Sequence, residues 1–287
     1  MAQYSNLIID GDFLIYKGAF SAETKFYRAK EAGLDDIEFN SKKEALEHQV
    51  KRPGCIIKHV VRYKEEGLAR YYTKMAMEKV LNNFPGAKFR LYISAPKGYN
   101  VRYDIAKTCG YKNTRPERPK YYEVCRQYLL KEWGAVEIGV CEADDAVAIA
   151  ATAIPECVIV HIDKDINQVP GVHYHPDKQE IYTVDEEDGL RNLYFQILTG
   201  DKIDTVPGMK VLCRARTCGE MAARKLLENC KTEKEMKKAV KEHVFKYSED
   251  LTEERYKEVF EEMYDLLYLP RTKKQLEDLK KKYGKES

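Results

Sequence analysis

The chain has 287 residues, of which 44% are apolar and 33% charged, a composition typical of a soluble globular protein. No stretch approaches the roughly 18 apolar residues of a membrane helix. The opening MAQYSNLIIDGD also lacks the pattern of a secretory signal, so no membrane partner is expected. The net charge of +2 gives by itself no reason to expect a nucleic-acid partner.

The eight cysteines are scattered along the chain without a Cys-x-x-Cys pair. Together with the missing secretory pattern, this distribution favours free thiols in a reducing cytoplasm over a disulfide framework. A cytoplasmic protein is therefore expected, and a monomer is favoured.

Short apolar runs alternate with helical patterns over the first two thirds of the sequence. The predicted elements, in chain order, are a strand at 6–9, helices at 13–20 and 68–84, a strand at 88–94, a helix at 121–133, a strand at 135–140, a helix at 143–153, a strand at 157–162, a hairpin over 171–184 and a helix at 187–199. The charged, mixed stretch 21–66 is placed only loosely. This alternation predicts an α/β domain with a largely parallel sheet over residues 1–204. Residues 205–287, rich in Lys and Glu, are predicted to be helical.

Acidic residues stand mainly where the predicted strands end. They are Asp10 and Asp12 after the first strand, Glu142, Asp144 and Asp145 after strand 135–140, Asp163 and Asp165 after strand 157–162, and Asp201 and Asp204 after helix 187–199. Since the carboxyl ends of parallel strands converge on one edge of a sheet, these carboxylates would repel one another unless cations neutralised them. Hard divalent ions take oxygen ligands, and two of them about 4 Å apart serve phosphodiester cleavage. The pattern predicts a site for two Mg²⁺ or Mn²⁺ ions.

Each of these acids alone also has an ordinary explanation, because a single Asp at a helix start is most often an N-cap or loop residue. Asp144 or Asp145 by itself would be interpreted as a cap. The repetition favours a metal site, since four clusters follow apolar strands or a helix and none lies in a charge-rich tract.

The small net charge hides a division of charge along the chain. Residues 97–131 hold nine basic and three acidic residues, a net +6, whereas residues 135–205 hold fifteen acidic and four basic residues, a net −11. Tyrosines alternate with the basic residues of the first segment, which suits phosphate contact together with base stacking. Splitting the total therefore reverses the first inference and predicts a nucleic-acid partner.

The candidate nucleic-acid contacts lie in this basic segment and in the glycine-containing turns that follow Asp204. Glycine turns before a helix expose backbone N–H groups that bind phosphate, although alone this is a weak signal. The candidates are Arg102, Lys107, Tyr111, Lys112, Arg115, Arg118, Lys120, Gly208, Lys210 and Gly219.

On these residues the chain resembles the 5′ nuclease superfamily, which includes flap endonucleases and 5′–3′ exonucleases, and is most similar to the phage-encoded 5′–3′ exonucleases of DNA replication. The resemblance spans roughly residues 6–228. It is carried by the opening IIDGDFLIYKGAFSAE, Glu142-Ala-Asp144-Asp145, Asp163-Lys-Asp165, Gly200-Asp201-x-x-Asp204 before Pro207-Gly208, and Tyr111-Lys112-x-x-Arg115.

The resemblance implies a PIN-like 5′ nuclease core over 1–204, with a basic arch at about 96–120, and a helical DNA-binding region over 205–287 that contains a helix–hairpin–helix. It also implies a catalytic set and a set of ligands for the two divalent metals. The catalytic set is Lys112, Arg115, Asp10, Asp144 and Asp163, and the metal ligands are Asp10, Glu142, Asp144, Asp145, Asp163, Asp165, Asp201 and Asp204. The implied activity is hydrolysis of phosphodiester bonds from the 5′ ends of DNA with flaps or gaps, or of RNA in RNA–DNA hybrids, in the host cytoplasm.

Two departures from the family pattern stand out. Family members usually carry another Asp after the second strand, where this chain has Ser94-Ala95-Pro96-Lys97. Asp104 or water is the expected substitute there. The short Gly-rich hairpin of the helix–hairpin–helix is replaced by residues 210–218, which counts against the K⁺ site that this motif usually forms.

Two other functions compete with nuclease activity. A phosphatase of the haloacid dehalogenase type would use Asp10 and Asp12 with Asp201 and Asp204, but it leaves the other acidic motifs and the basic segment unexplained. A catalytically weakened DNA-binding member of the nuclease family is the second alternative, suggested by Ala95.

Overall fold

The computed structural model describes residues 4–31, 35–96, 99–114, 116–154, 156–213 and 219–284. Their contacts divide the chain into two compact units. The first, here called the sheet unit, consists of Met1–Asp12, Asn83–Glu117 and Gly134–Ser287, and the second, the smaller unit, consists of Phe13–Asn82 and Arg118–Trp133.

The strands and helices follow the chain in alternation through most of its length. The strands are β1 (Asn6–Asp10), β2 (Glu23–Lys30), β3 (Ile37–Phe39), β4 (Ile56–Tyr63), β5 (Lys88–Ser94), β6 (Val136–Ile138), β7 (Cys157–Val160), β8 (Gly171–His175) and β9 (Glu180–Val184). The helices are α1 (Asp12–Ser21), α2 (Lys42–Lys51), α3 (Glu66–Asn82), α4 (Arg102–Ile105), α5 (Tyr122–Trp133), α6 (Ala143–Ala153), α7 (Glu186–Thr199), α8 (Glu220–Leu227), α9 (Glu233–Lys246), α10 (Glu253–Leu267) and α11 (Lys273–Tyr283). Two short 3₁₀ helices lie at Asp165–Gln168 and Met209–Val211.

The sheet unit is built on a sheet whose six strands, among the described residues, have the order β6-β5-β1-β7-β8-β9. All neighbouring pairs are parallel except the β8–β9 hairpin. From β1 the chain goes to β5 and β6 on one side, and then to β7 and β8 on the other. The order therefore reverses beside β1, and the carboxyl ends of β1 and β7 flank the crevice where α/β sheets bind ligands.

The two central strands of this sheet, β1 and β7, carry buried apolar side chains along nearly their whole length. Leu7, Ile8 and Ile9 have no measurable exposure. Helix α6 packs over β1, β5 and β7, with Val147 and Ala148 in a core cluster that also contains Ile8. A continuous apolar strand such as β1 is the pattern expected for a parallel strand covered on both faces.

The helices after β9 share a second core within the sheet unit. Helices α8, α9 and α10 each pack against α7, and their buried side chains include Leu227, Val240 and Met263. None of the helices within the described residues is both long and apolar enough to span a bilayer.

The smaller unit contains an antiparallel sheet of order β3-β2-β4, packed against α2, and the helix pair α3 and α5. Residues 21–66, which gave no clear sequence pattern, form this sheet and α2. Strand β4 has no buried residue, and β2 buries only Phe26 and Ala29. Because neither strand has a continuously buried face, the alternation that reveals most strands is missing.

The predicted fold class is confirmed at its coarser level: the chain is α/β with a mostly parallel sheet flanked by helices. The predicted strands and helices outside 21–66 are found with shifts of no more than two residues at their ends. The division predicted at residues 204 and 205 separates a nuclease core from a DNA-binding region. The two compact units are instead defined by contacts between residues, and their boundaries differ from the predicted one. That division stays a prediction.

A tight loop connects α7 to the 3₁₀ helix Met209–Val211. It is closed by paired hydrogen bonds between Asp201 and Val206, each 2.8 Å long. Gly200 and Gly208 both adopt positive φ, at 74° and 68°, which favours glycine. A Cβ on Gly208 would lie 2.4 Å from the Gly200 nitrogen and 2.8 Å from the Ile197 carbonyl oxygen. The loop therefore has room only for glycine at this position.

Replacing Gly208 with alanine is expected to lower the free energy of unfolding by about 2–4 kcal/mol, because backbone strain adds to a clash with fixed backbone atoms. Gly219→Ala is the matched control, since nothing lies within 4 Å of its Cβ position and its φ is −71°. Urea unfolding of both variants measures the difference. Equal stability of the two variants would contradict this account of the loop.

Candidate active site

The first two acids, Asp10 and Asp12, are positioned where Gly11 packs closely against the end of β5. The Gly11 N–H donates to the Tyr92 carbonyl oxygen at 2.7 Å. A Cβ on Gly11 would lie 2.6–2.8 Å from Leu91, Tyr92 and Ile93 atoms, so only glycine allows this approach. The close passage leaves Asp10 at the end of β1 and carries Asp12 to the end of β5.

Asp12 is held by Ser94, the last residue of β5. The Ser94 N–H donates to Asp12 Oδ1 at 2.9 Å, and Ser94 Oγ accepts the Ala143 N–H at 3.0 Å. Ser94 thus joins the Asp12 carboxylate to the first residue of α6. Asp12 supplies a carboxylate at the strand end where the family resemblance expects an Asp that the sequence lacks.

Asp104, the substitute expected from the sequence, lies elsewhere. Its Oδ2 accepts the Tyr99 hydroxyl at 2.7 Å. It is not among the charges that shift the pKa of Asp10, Asp12 or Asp144. The replacement by Asp104 stays a prediction, and the structure instead places Asp12, which the predicted ligand set omitted, at the end of β5. The signal for it was present in the Asp-Gly-Asp sequence after β1.

The start of α6 separates its three acids. Glu142 is the N-cap and forms a capping box with Asp145, whose Oδ2 accepts the Glu142 N–H at 3.1 Å. Asp145 is fully buried and Asp144 is half-buried. Burial raises the pKa of Asp144 well above its usual value, and the negative charges of Asp10 and Asp163 raise it further. Asp144 therefore belongs with the strand-end acids, and Asp145 does not.

Asp145 instead forms a buried ion pair with Arg102. The two guanidinium Nη atoms donate to its two carboxylate oxygens at 2.7 and 2.8 Å. The remaining donors of Arg102 reach the carbonyl oxygens of Leu266 and Tyr268 at 2.9 and 3.1 Å. Only 3% of the Arg102 surface is exposed. The structure thus pairs a predicted nucleic-acid contact with a predicted metal ligand, and Arg102 also lies 3.4 Å from Glu142 Oε2. The binding roles of Arg102 and Asp145 stay predictions.

The acids after β7 are held by a short 3₁₀ helix. Asp163 Oδ1 accepts the Asp165 N–H at 2.9 Å, and Gln196 Nε2 donates to Asp165 Oδ1. Burial raises the pKa of Asp165 to about 7, with the charges of Asp163 and Asp201 adding to it. Although Asp163 keeps contact with solvent, the surrounding protein desolvates its carboxylate and raises its pKa, and Asp204 and Asp201 contribute.

The loop Asp201–Asp204 places the last two acids near Asp163 and Asp165. Asp201 Oδ1 accepts the N–H groups of Ile203 and Asp204 at 2.7 and 3.1 Å, and Lys164 Nζ lies 2.7 Å from Asp201 Oδ2. Although burial opposes it, these contacts lower the pKa of Asp201. The loop therefore keeps Asp201 ionised beside the acids that follow β7.

Taken together, seven of the eight predicted metal ligands act on one another electrostatically. Burial, Asp12 and Asp163 raise the pKa of Asp10, and the charge of Glu142 raises that of Asp12. We call the group the carboxylate cluster; its members are Asp10, Asp12, Glu142, Asp144, Asp163, Asp165, Asp201 and Asp204. All lie in the sheet unit, at the reversal of strand order beside β1.

Lys112 and Tyr111 place a cation and a hydroxyl inside the carboxylate cluster. The Lys112 ammonium forms a salt bridge with Glu142 and lies 3.4 Å from Asp204 Oδ2, while the Tyr111 hydroxyl donates to Glu142 at 2.8 Å. Although burial opposes it, Lys112 and Arg102 lower the pKa of Glu142 to about 2. Lys112 adopts a positive φ of 56°, and its N–H donates to the Asp204 carbonyl oxygen at 2.9 Å. The backbone of Lys112 is thus fixed to the loop that carries Asp204.

The donor set of the carboxylate cluster fits hard divalent cations, since its eight carboxylates outnumber the ammonium groups of Lys112 and Lys164 that bind some of them. Within the described residues, no three or more Asp, Glu, His or Cys side chains already converge closely enough to hold an ion. The ammonium groups of Lys112 and Lys164 lie between carboxylates that would have to turn toward a shared ion. The cluster therefore offers oxygen donors of the kind that divalent ions prefer, and the described residues contain no preformed coordination sphere.

The other predicted nucleic-acid contacts are spread over the two units. Arg118 and Lys120 belong to the smaller unit, where they lie over the rings of Tyr122 and Tyr63, each at 4.6 Å. Arg115 lies outside the described residues.

The remaining candidates belong to the sheet unit. The exposed Lys107 donates its N–H to Glu262, and Lys210 Nζ donates to the Thr199 carbonyl oxygen. Gly208 closes its loop, and Gly219 is the N-cap of α8. None of these four changes the pKa of a cluster acid, so their binding roles stay predictions.

Comparison with known proteins adds nothing to this geometry. A scan against protein-family models found no match, and a search of curated proteins found no relative of this chain.

The Arg102–Asp145 pair is expected to be a large contributor to stability. Asp145→Asn leaves a buried guanidinium without its counter-charge and should lower the free energy of unfolding by about 3–5 kcal/mol. Glu258→Gln, which removes one partner of the exposed pair with Arg255, should cost no more than about 1 kcal/mol. Urea unfolding compares them, and equal losses would refute the structural role assigned to Asp145.

The raised pKa values predict how stability without divalent ions depends on pH. An unfolded Asp ionises near pH 4, whereas Asp165 keeps its proton until about pH 7 in the folded protein. The stability contributed by that proton is present at low pH and is lost as pH rises through 7. In EDTA, the melting temperature should fall between pH 5.5 and 8, and Asp165→Asn should flatten the fall.

Asp278→Asn, on the exposed face of α11, is the control and should keep the wild-type slope. Adding Mg²⁺ at pH 8 should raise the wild-type melting temperature, because bound cations relieve the repulsion among the ionised acids. If the melting temperature of Asp165→Asn fell with pH as steeply as that of the wild type, ionisation of Asp165 would not account for the pH dependence.

Proposed function

We propose that the chain is a divalent-metal-dependent 5′ nuclease with a PIN-like core, acting as a 5′–3′ exonuclease or flap endonuclease. The observation that carries the proposal is the mutual repulsion of Asp10, Asp144 and Asp163, which come from three separate segments and meet at the reversal of strand order. Such repulsion costs stability. A function that needs a concentrated negative charge accounts for it better than a structural role does.

The residues that would hold the ions are the members of the carboxylate cluster. Asp10, Asp12 and Asp144 would serve one ion, and Asp163, Asp165 and Asp201 the other, with Glu142 and Asp204 near both. When bound, two such ions activate water for attack on a phosphodiester and stabilise the leaving oxygen. Asp145 is not included, because its oxygens bind Arg102.

The chain's own cations would act on the phosphate. Lys112 is held among the acids by Glu142 and Asp204, and an arriving phosphate competes for its ammonium group with these carboxylates. A cation already fixed beside the reacting group stabilises negative charge that develops on the phosphate oxygens. The Tyr111 hydroxyl, now donating to Glu142, is a second donor within reach of the same place.

Asp12 bears on whether the chain is an active enzyme or a weakened DNA-binding relative. The weakened interpretation rested on Ala95, which stands where the resemblance expects an acid. Because Ser94 holds the Asp12 carboxylate at the end of β5, an acid is present at that strand end after all. This contact supports an active nuclease.

The direct test is digestion of 5′-labelled duplex, flapped, gapped and RNA–DNA hybrid substrates in Mg²⁺, in Mn²⁺ and in EDTA. We expect release of nucleotides or short fragments from 5′ ends only with a divalent ion. Changing a second-sphere residue of a metal site typically costs about 10–100-fold, so Asp163→Asn and Asp12→Asn should each lower the rate by about 100-fold or more.

Asp278→Asn makes the same chemical change on exposed α11 and should retain the wild-type rate. Failure to cleave any of these substrates with either ion would overturn the proposal. Trapping of a phosphoaspartate at Asp10 would instead identify a phosphatase.

A further inference from the structure

A cavity of about 830 Å³ opens in the sheet unit, and none of its lining residues belongs to the carboxylate cluster. It lies between β9, the 3₁₀ helix Asp165–Gln168, α7 and α8, and the residues that matter here are Asn167, Tyr182, Asn192, Phe195, Arg224 and Lys225. Its volume falls within the range of about 300–1,000 Å³ typical of small-molecule pockets. The proposed reaction leaves this cavity without a role.

One wall of the cavity is a stacked pair of side chains. The Arg224 guanidinium lies 4.6 Å above the centre of the Phe195 ring. Neither Arg224 nor Lys225 forms an ion pair with any residue that the structure describes. A guanidinium supported on an aromatic ring presents a flat cationic face, which is the kind of surface on which nucleobases stack.

Asn167 and Asn192, which also line the cavity, each have one side-chain group that internal contacts leave available. The Tyr182 hydroxyl donates to Asn167 Oδ1 at 2.7 Å, and Asn192 Nδ2 donates to the Asn167 carbonyl oxygen at 3.0 Å. These bonds fix both amides while, within the described residues, Asn167 Nδ2 and Asn192 Oδ1 make no hydrogen bond. A fixed donor and a fixed acceptor side by side match the alternating groups on the edge of a nucleobase.

Two of the cations that line the cavity are available to an anion. The charged lining residues are Arg191, Arg224, Lys225, Asp188 and Glu228. Arg191 is engaged by Glu187 and Asp188, whereas Arg224 and Lys225 form no ion pair within the described residues. A phosphate attached to the ligand would therefore be attracted locally by Arg224 and Lys225.

The cavity and the candidate active site share one short element. The 3₁₀ helix Asp165–Gln168 carries Asp165, a member of the carboxylate cluster, and two residues later Asn167, which lines the cavity. This shared helix is the reason to assign the cavity to the same nucleic-acid substrate.

We propose that this cavity binds one unpaired nucleotide of the nucleic-acid substrate. The base stacks on the Arg224 guanidinium, its edge meets the amides of Asn167 and Asn192, and its phosphate is neutralised by Lys225. The proposal rests on the proposed function for the identity of the strand, and it deepens that function by assigning a pocket to a single-stranded part of the substrate.

The test uses the full chain in EDTA, so that binding is read without cleavage. Fluorescence anisotropy with a labelled single-stranded DNA tetranucleotide measures affinity, and dAMP and inorganic phosphate serve as competitors. Base stacking is typically worth about 1–3 kcal/mol, so Arg224→Gln should weaken binding by about tenfold. Asn192→Leu should also weaken it.

Arg255→Gln removes an exposed arginine of α10 that does not line the cavity, and it should bind as wild type does. We expect dAMP to compete better than phosphate alone. Wild-type affinity of both Arg224→Gln and Asn192→Leu, or equal competition by phosphate, would overturn the pocket.

The outcomes of the two proposals are distinguishable. Binding that depends on Arg224 in a chain that cleaves nothing would retain the pocket and reject the nuclease. Divalent-dependent cleavage, together with wild-type affinity of Arg224→Gln for the tetranucleotide, would retain the nuclease and reject the pocket.

Discussion

The structure depends above all on the repulsion among carboxylates gathered at the end of β1. Three devices contain it: protons retained at raised pKa values, as at Asp165, the ammonium groups of Lys112 and Lys164, and the removal of Asp145 into a pair with Arg102. Each of these features also fixes the position of the adjoining backbone segment. The tight loop before Met209 and the start of α6 are both held by groups that also balance this charge.

Much of the sheet unit could be predicted from sequence, because its central strands β1 and β7 are covered on both faces and therefore appear as continuous apolar runs. Strand β1, with Leu7, Ile8 and Ile9 fully buried, is the clearest example. The antiparallel sheet of the smaller unit could not be predicted, since β4 buries none of its residues and carries no periodic signal. Burial, more than strand propensity, determined what could be predicted.

The site was predictable as a set of acids and less so as individual roles. Strand ends predicted that Asp10, Asp144 and Asp163 come close together, and in the structure their charges act on one another because the topology brings those ends together. Sequence cannot tell which of two adjacent acids faces the cluster, since that depends on the partner that each one finds. Asp145 was assigned to a metal because its partner, Arg102, lies 43 positions earlier in the chain.

The carbonyl groups that bind Arg102 give the fold a particular order of assembly. Leu266 and Tyr268 complete the shell of a guanidinium whose carboxylate partner comes from the start of α6. During synthesis, the acids of β1, α6 and β7 all leave the ribosome well before these carbonyls exist. The start of α6 therefore acquires its full set of contacts only when α10 has been made. A partly synthesised chain thus has the carboxylate cluster in place before the contacts that complete the shell of Arg102 and fix Asp145.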